Sequence, residues 1–289
     1  MYNLAMGTAR VDLTSSRCLL FTPADRPERF AKAVSAGADG AVLDLEDGVG
    51  LPAKDDARRA ALAFFTAPIA APTGFIWALR LNHVTTVDGL RDLLALHEAA
   101  ARPQCIVLPK TESVSEVEIA VRHLSDRGTQ PRIIALIETA RGLSAAEAIA
   151  AHPAVGALAF GGADLAADLG AELGWEQMLY ARSRIVQAAA TAGVAAFDVP
   201  FLDIRDAEGL RKATESAKAL GYTCKFAIHP AQIASINEVF TPAPDQVAKA
   251  RKIVAAFENA RGGACEVDGR MVDVPVVKSA RRVAALAAR

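Results

Sequence analysis

Polar residues able to do chemistry gather where short apolar runs of this sequence stop. The run from Cys18 ends in Thr22-Pro23-Ala24-Asp25-Arg26, that from Gly40 in Asp44-Leu45-Glu46-Asp47, and that from Phe75 in Arg80-Leu81-Asn82. Later runs end in Pro109-Lys110, in Glu138-Thr139, in Gly161-Gly162-Ala163-Asp164, near Asp198 and in His229. If these ends converge, acidic groups outnumber the cations on one rim, and a divalent cation is the simplest centre to organise them. Hard carboxylate ligands without His or Cys point to Mg²⁺ or Mn²⁺ rather than zinc. Magnesium keeps several waters, so Glu138 and Asp164 would suffice as protein ligands.

Each residue also has a plainer reading. Asp164 precedes a helical pattern and could cap it, and Glu138 could satisfy the amides of the next helix start. Arg80 sits inside an apolar run, where a guanidinium needs a partner: a substrate carboxylate, or a structural ion pair with Asp44 or Glu46. Lys110 reads equally as a rim ion pair, and His229 before Pro230 as a packed loop residue. Spacing alone yields a metal-dependent enzyme acting on a carboxylate.

The elements that must position these residues alternate along the chain. Eight apolar runs read as strands: 18–22, 40–45, 75–81, 105–108, 132–137, 156–160, 195–199 and 225–228. Between them lie helical patterns over 28–36, 53–64, 87–100, 113–124, 145–151, 178–192 and 207–220. Strands that are apolar throughout, each followed by a helix, fit a closed (β/α)₈ TIM barrel better than a doubly wound sheet. No Gly-x-Gly-x-x-Gly or phosphate-loop motif supports the open sheet. The expected organisation is a loose leader over 1–16, a barrel over 17–240, and a C-terminal helical extension over 241–289. That extension, with a turn at Asp268-Gly269, would pack on the barrel or on a neighbouring subunit.

Of 289 residues, 52% are hydrophobic and 22% charged, with a net charge of −1, which gives no electrostatic reason to expect nucleic acid or a membrane surface as partner. The uncharged stretch over 60–79 is about long enough to cross a bilayer but is interrupted by Pro68, Pro72 and Gly74, so it reads as a helix end, a turn and a strand start rather than a membrane span. Cys18, Cys105, Cys224 and Cys265 show no metal or redox spacing and read as reduced thiols of a cytoplasmic protein.

At these same residues the chain resembles the citrate lyase β-subunit-like (CitE-like) branch of the HpcH/HpaI aldolase family. The matching stretches are Arg17-Cys-Leu-Leu-Phe-Thr-Pro23, Ala41-Val-Leu-Asp-Leu-Glu-Asp-Gly-Val49, Arg80-Leu-Asn82, Leu108-Pro-Lys-Thr-Glu112, Ile137-Glu-Thr-Ala140, Phe160-Gly-Gly-Ala-Asp-Leu165, Tyr180-Ala-Arg182 and Ile228-His-Pro-x-Gln232. The resemblance implies a barrel enzyme, a homo-oligomer and usually a trimer, that cleaves a carbon–carbon bond in an acyl-CoA such as malyl-CoA or citramalyl-CoA. It implies Mg²⁺ on Glu138 and Asp164, with Glu46 and Asp47 holding the metal's waters. It also implies that Arg80 and Glu138 bind substrate, with Pro23 and Gly162 lining it, and that Arg17 and Lys32 hold the CoA moiety. The stretch Gly269-Arg-Met-Val-Asp-Val-Pro275 looks like the tail of the malyl-CoA and citramalyl-CoA lyases, where the residue matching Asp273 is catalytic and comes from the adjacent subunit. Ala24 and Cys224 depart from the pattern, each standing where a Gly is common. Citryl-thioester cleavage on an acyl carrier protein, thioester hydrolysis, a malate-synthase-like activity and a non-catalytic CoA-binding role are the other functions that this resemblance leaves open.

Overall fold

The computed structural model describes residues 11–125 and 130–286. Eight parallel strands close on themselves in chain order: β1 (Cys18–Pro23), β2 (Gly40–Asp44), β3 (Ile76–Arg80), β4 (Cys105–Leu108), β5 (Arg132–Ile137), β6 (Val155–Phe160), β7 (Ala195–Asp198) and β8 (Cys224–Ala227). The ring is sealed where β1 pairs with β8, Leu19 opposite Phe226. This is the (β/α)₈ barrel, and its strands are buried on both faces, as the apolar runs require. Alternation divides each strand. Val42, Ala78, Val107, Leu136, Ala159, Phe197 and Phe226 fill the barrel, while their neighbours face the helices.

The helices are α1 (Phe30–Ser35), α2 (Lys54–Thr66), α3 (Val87–Glu98), α4 (Val114–Leu124), α5 (Ala140–Ala150), α6 (Gly162–Leu169), α7 (Trp175–Ala192), α8 (Ala207–Leu220), α9 (Ile233–Phe240), α10 (Pro244–Asn259) and α11 (Val274–Leu286). Two differ from the periodic reading for local reasons. The helix α5 begins five residues early because the Thr139 hydroxyl caps it, accepting from Gly142 N at 3.0 Å. Gly142 weakens the helical signal there, yet it is needed: a Cβ at this position would collide with the carbonyl of Thr111. The helix α6 is one short turn pair after β6, closed by Gly170 in the left-handed conformation.

Contacts divide the chain into two compact units, 1–237 and 238–289. Residues 1–10 of the expected leader lie outside the described residues. Leu13, by contrast, is 2% exposed and belongs to the barrel core, so the end of that segment is part of the fold. In the second unit, β9 (Cys265–Val267) and β10 (Arg270–Val272) form a hairpin about Asp268 and Gly269, both at positive φ. Sequence reading saw that turn but not its strands, which are three residues each. Phe257, Val267, Val272 and Val277 make this unit's own core. Among the described residues no helix is long and apolar enough to cross a membrane, and the stretch around Pro68, Pro72 and Gly74 does separate α2 from β3.

Candidate active site

The mouth at the C-terminal ends of the strands holds a pocket of about 360 Å³. One side is charged, with Asp44, Asp47, Arg80, Glu138 and Asp164; the other is apolar, with Phe21, Val199, Pro200, Leu202, Phe226 and Ile228. Arg80 ends β3, and its guanidinium is gripped along one edge by Asp44 at the end of β2, with Nε to Oδ1 at 2.7 Å and Nη2 to Oδ2 at 2.6 Å. Its Nη1 lies 2.8 Å from Glu46 Oε2, and the ring of Phe21 is 4.7 Å away. Burial works to lower the Arg80 pKa, but Asp44, Glu46 and Glu138 outweigh it and the cation is locked on. The structural ion pair anticipated from sequence therefore exists with both carboxylates. It does not exhaust the side chain: of five N–H groups, one on Nη1 and one on Nη2 stay uncommitted to these contacts. Arg80 lines the pocket with that remaining capacity.

Glu138 follows β5 and is 2% exposed. Its Oε1 accepts from the backbone N of Lys110 at 2.7 Å, and its other oxygen lies so close to Gly161 that a Cβ there would collide with it. Burial, with Glu46 and Asp164 nearby, pushes its carboxyl up to about 8, Lys110 opposing. Lys110 has a φ of 48°, a left-handed conformation that costs a residue with a Cβ on the order of 1 kcal/mol. Two bonds hold it there: its N–H to Glu138, and its Nζ to Glu46 Oε1 at 2.7 Å. The same ammonium is 3.6 Å from Asp164 Oδ1 and 3.8 Å from Asp47 Oδ2. Burial raises the Glu46 pKa too, despite Arg80 and Lys110 beside it.

Five carboxyls thus face two cations, and the most buried of them cannot hold its charge near neutral pH on the positive charge present. That imbalance fits an additional cation. Among the described residues no group of three or more His, Cys, Asp or Glu side chains is arranged to hold a metal alone. A cation with two carboxylate ligands and a shell completed by water and substrate oxygens, the habit of magnesium, fits that set.

Asp164 is the third residue of α6 rather than a strand end, so the short helix after β6 swings it over the mouth. Its side chain is 43% exposed, against 65% for Asp47. Pro23 lines the pocket from the end of β1. Gly162 is buried at the start of α6 with Phe160 and Leu173 against it, and its neighbours Gly161 and Ala163, not Gly162, line the pocket. Lys32 is exposed on α1. The structure does not bring Arg17 to the mouth. It precedes β1, at the opposite end of the barrel, where Nε and Nη2 grip Asp39 at 3.0 and 2.7 Å. His229 accepts from Ala231 N at 3.2 Å and caps a 3-10 turn at Pro230–Gln232; it is a loop residue, as expected, but exposed rather than packed. Asp273 belongs to the second unit, half-buried between exposed Met271 and Val274, with Oδ1 3.4 Å from Val276 N at the start of α11.

Sequence reading named Asn82 at the end of β3 but missed Lys54, Arg58 and Asp92 behind the rim. All four are buried and bonded to one another or to the strand exits. A Lys at the first position of a helix, where the dipole disfavours it, was the available signal.

Comparison with known proteins places this geometry. A model of the HpcH/HpaI aldolase/citrate lyase family matches residues 17–230. A citrate lyase subunit beta-like protein of Mycobacterium tuberculosis is 40% identical over 270 residues, covering 90% of this chain and 92% of that protein. The mitochondrial citramalyl-CoA lyase of Homo sapiens is 34% identical over 291 residues, covering 94% and 85%. The solved structure of CitE from M. tuberculosis in complex with magnesium, acetoacetate and coenzyme A superposes with a TM-score of 0.78 at 37% identity, covering 96% of this chain and all of that one.

Proposed function

The chain belongs to the HpcH/HpaI aldolase/citrate lyase family of carbon–carbon lyases, and from that premise we propose that it is a Mg²⁺-dependent lyase of a 3-hydroxy-dicarboxyl-CoA of the malyl or citramalyl type. The products would be a short 2-oxo acid and acetyl-CoA. The observation that carries the reading is one pocket in which Arg80, with N–H groups to spare, faces Glu138 and Asp164.

The paired N–H groups of Arg80 would clamp the substrate carboxylate in two parallel hydrogen bonds and orient the adjacent hydroxyl carbon. Asp44 and Glu46 hold the guanidinium from behind, so no rotamer search precedes binding. Glu138 and Asp164 would hold magnesium, with Glu46 and Asp47 placed for its waters. When bound, the ion would supply Lewis-acid stabilisation of the charge that develops on the oxygen of the 2-oxo acid. Cleavage needs the hydroxyl to give up its proton as it becomes the carbonyl of the 2-oxo acid, and it sends the electron pair of the broken bond to the carbon next to the thioester carbonyl, which must then take a proton. Asp273, on a segment flanked by exposed Met271 and Val274, is our candidate for that proton transfer, delivered by a second subunit. Lys32 and the Pro23 side of the mouth remain our assignment for the CoA arm. Arg17, committed to Asp39, would act there only indirectly.

A citryl thioester carries a second free carboxylate. Arg80 is the one cation among the described residues lining the pocket, and the facing wall of Val199, Phe226 and Ile228 offers such a group no partner. Malyl and citramalyl thioesters, with one free carboxylate, match it better. Incubation with malyl-CoA, citramalyl-CoA and β-methylmalyl-CoA, with products identified by mass, tests the reading. Acetyl-CoA (propionyl-CoA from the third) with a 2-oxo acid is expected; free CoA with an intact hydroxy acid would make the chain a thioesterase instead.

A further inference from the structure

We propose that Lys54 is a positioning residue for the acid-binding side of the site: its ammonium ties the backbone leaving β2 to that leaving β3, and so sets Glu46 against Arg80. The inference rests on the lyase reading above. Lys54 opens α2, where a cation meets the positive end of the helix, and it is 8% exposed. Neither helix stability nor solvation favours a Lys there. Its bonds explain it. The three N–H groups are all used, on Leu45 O and Glu46 O at 2.6 Å each and on Asn82 Oδ1 at 2.7 Å.

In an extended strand, successive carbonyls point to opposite sides. Two neighbouring ones meeting on one ammonium mark the place where the chain turns out of β2. That turn leaves Glu46 with one oxygen 2.8 Å from Arg80 Nη1 and the other 2.7 Å from Lys110 Nζ. The third bond reaches the other strand. Asn82 lies two residues beyond Arg80, and both its N–H and its Nδ2 donate to Asp92 Oδ2 of α3 at 2.8 Å. Asp92 Oδ1 in turn accepts from Arg58 Nε at 2.6 Å. One ammonium therefore fixes both strand exits whose side chains, Glu46 and Arg80, meet above it. Neither Lys54 nor Asn82, Asp92 or Arg58 lines the pocket. Lys54 can act on substrate only through the residues it sets.

The test measures pyruvate binding to the Mg²⁺-loaded protein by calorimetry, alongside Mg²⁺ binding and the melting temperature, for wild type, Lys54→Met, Lys54→Gln and Arg58→Met. Lys54→Met removes all three bonds at similar length; Lys54→Gln retains two donors and guards against failure to fold. Arg58→Met breaks the far end of the chain, at Asp92 and Asp55, without touching the carbonyls of Leu45 and Glu46. A misaligned clamp loses a charge-assisted hydrogen bond to the carboxylate, worth on the order of ten-fold in binding, so pyruvate affinity should fall about ten-fold or more in Lys54→Met and less in Lys54→Gln. Mg²⁺ affinity should fall by less than pyruvate affinity, since Glu138 and Asp164 are held by β5 and α6 and only Glu46, placed for the metal's waters, moves with this tie. In Arg58→Met the melting temperature should fall while pyruvate affinity holds. Pyruvate binding within about two-fold of wild type in both Lys54 variants, or an equal loss in Arg58→Met, would overturn the assignment. If wild type binds no pyruvate, the same comparison is read with glyoxylate, and binding of neither acid would make the lyase reading fail, which is a different result.

Discussion

Replacing Glu138 with Gln keeps the shape and the acceptor for Lys110 N but removes the charge that the pocket holds uneasily. The Glu138 carboxyl sits at about 8 in the folded chain against an ordinary 4.5, burial being the main cause. The folded protein thus binds this proton more tightly than the unfolded chain does. Its contribution to stability is fully present below pH 4.5 and is lost as pH rises through 8. Across that window the loss is on the order of 5 kcal/mol, of which about 3 has gone by pH 7. For a chain of this length about 3 kcal/mol corresponds to roughly 6 °C in melting temperature. Metal-free wild type should therefore melt progressively lower from pH 5 to pH 8, more steeply than Glu138→Gln. Mg²⁺ should restore wild type at pH 8 and do little for the variant. Calorimetry at pH 7 in buffers of different ionisation enthalpy should also show close to one proton released per Mg²⁺ bound by wild type. Equal pH slopes for the two proteins, or Mg²⁺ binding without proton release, would refute this account of Glu138.

Other outcomes follow from the same geometry. Arg80→Lys loses the paired N–H edge and leaves Asp44 half-satisfied, so kcat/KM should fall by about 10²-fold or more, visible in steady-state kinetics as a rise in the KM of the 2-oxo acid in the condensation direction. Asp164→Asn should leave the melting temperature of metal-free protein nearly unchanged, because the side chain is 43% exposed, while weakening Mg²⁺ by about ten-fold or more in titration calorimetry. Asp273→Asn preserves an equally good helix cap, so the protein should fold and bind thioester yet turn over about 10²–10⁴-fold more slowly. Mixing Asp273→Asn with Arg80→Ala protein should regain activity if the two residues serve one site from different subunits; no regain would place them in the same chain.

The barrel was legible because its strands are buried on both faces, so each reads as an unbroken apolar run whose polar exit marks the mouth. Arg80, Glu138 and Asp164 stood out for the same reason: charge at the end of an apolar run is costly unless it is used. What periodicity could not carry is which atoms meet. Asp164 read as a strand end because α6 is too short to show a helical repeat of its own. Arg17 belongs to the matching motif at β1 but precedes the strand, so it falls at the opposite end of the barrel, on Asp39. The tie from Lys54 to Asn82 joins residues 28 apart in sequence, and the bonds to Leu45 and Glu46 use backbone carbonyls, which no residue type records. The hairpin β9–β10 is too brief for alternation to announce it. Gly142 and Thr139 show the opposite case, in which a helix start hides behind a residue kept for a close approach to Thr111.

The central claim is that the carboxylates of Glu138 and Asp164 make this pocket a magnesium-dependent site for carbon–carbon cleavage. It is tested most directly by the rate of acetyl-CoA formation from citramalyl-CoA and malyl-CoA, with Mg²⁺, after chelation, and in Glu138→Ala and Asp164→Ala. The account predicts turnover of at least one thioester by wild type that stops on chelation, returns with added Mg²⁺, and is lost in both variants at any practical Mg²⁺ concentration. Full turnover after chelation, or by either variant, would contradict it.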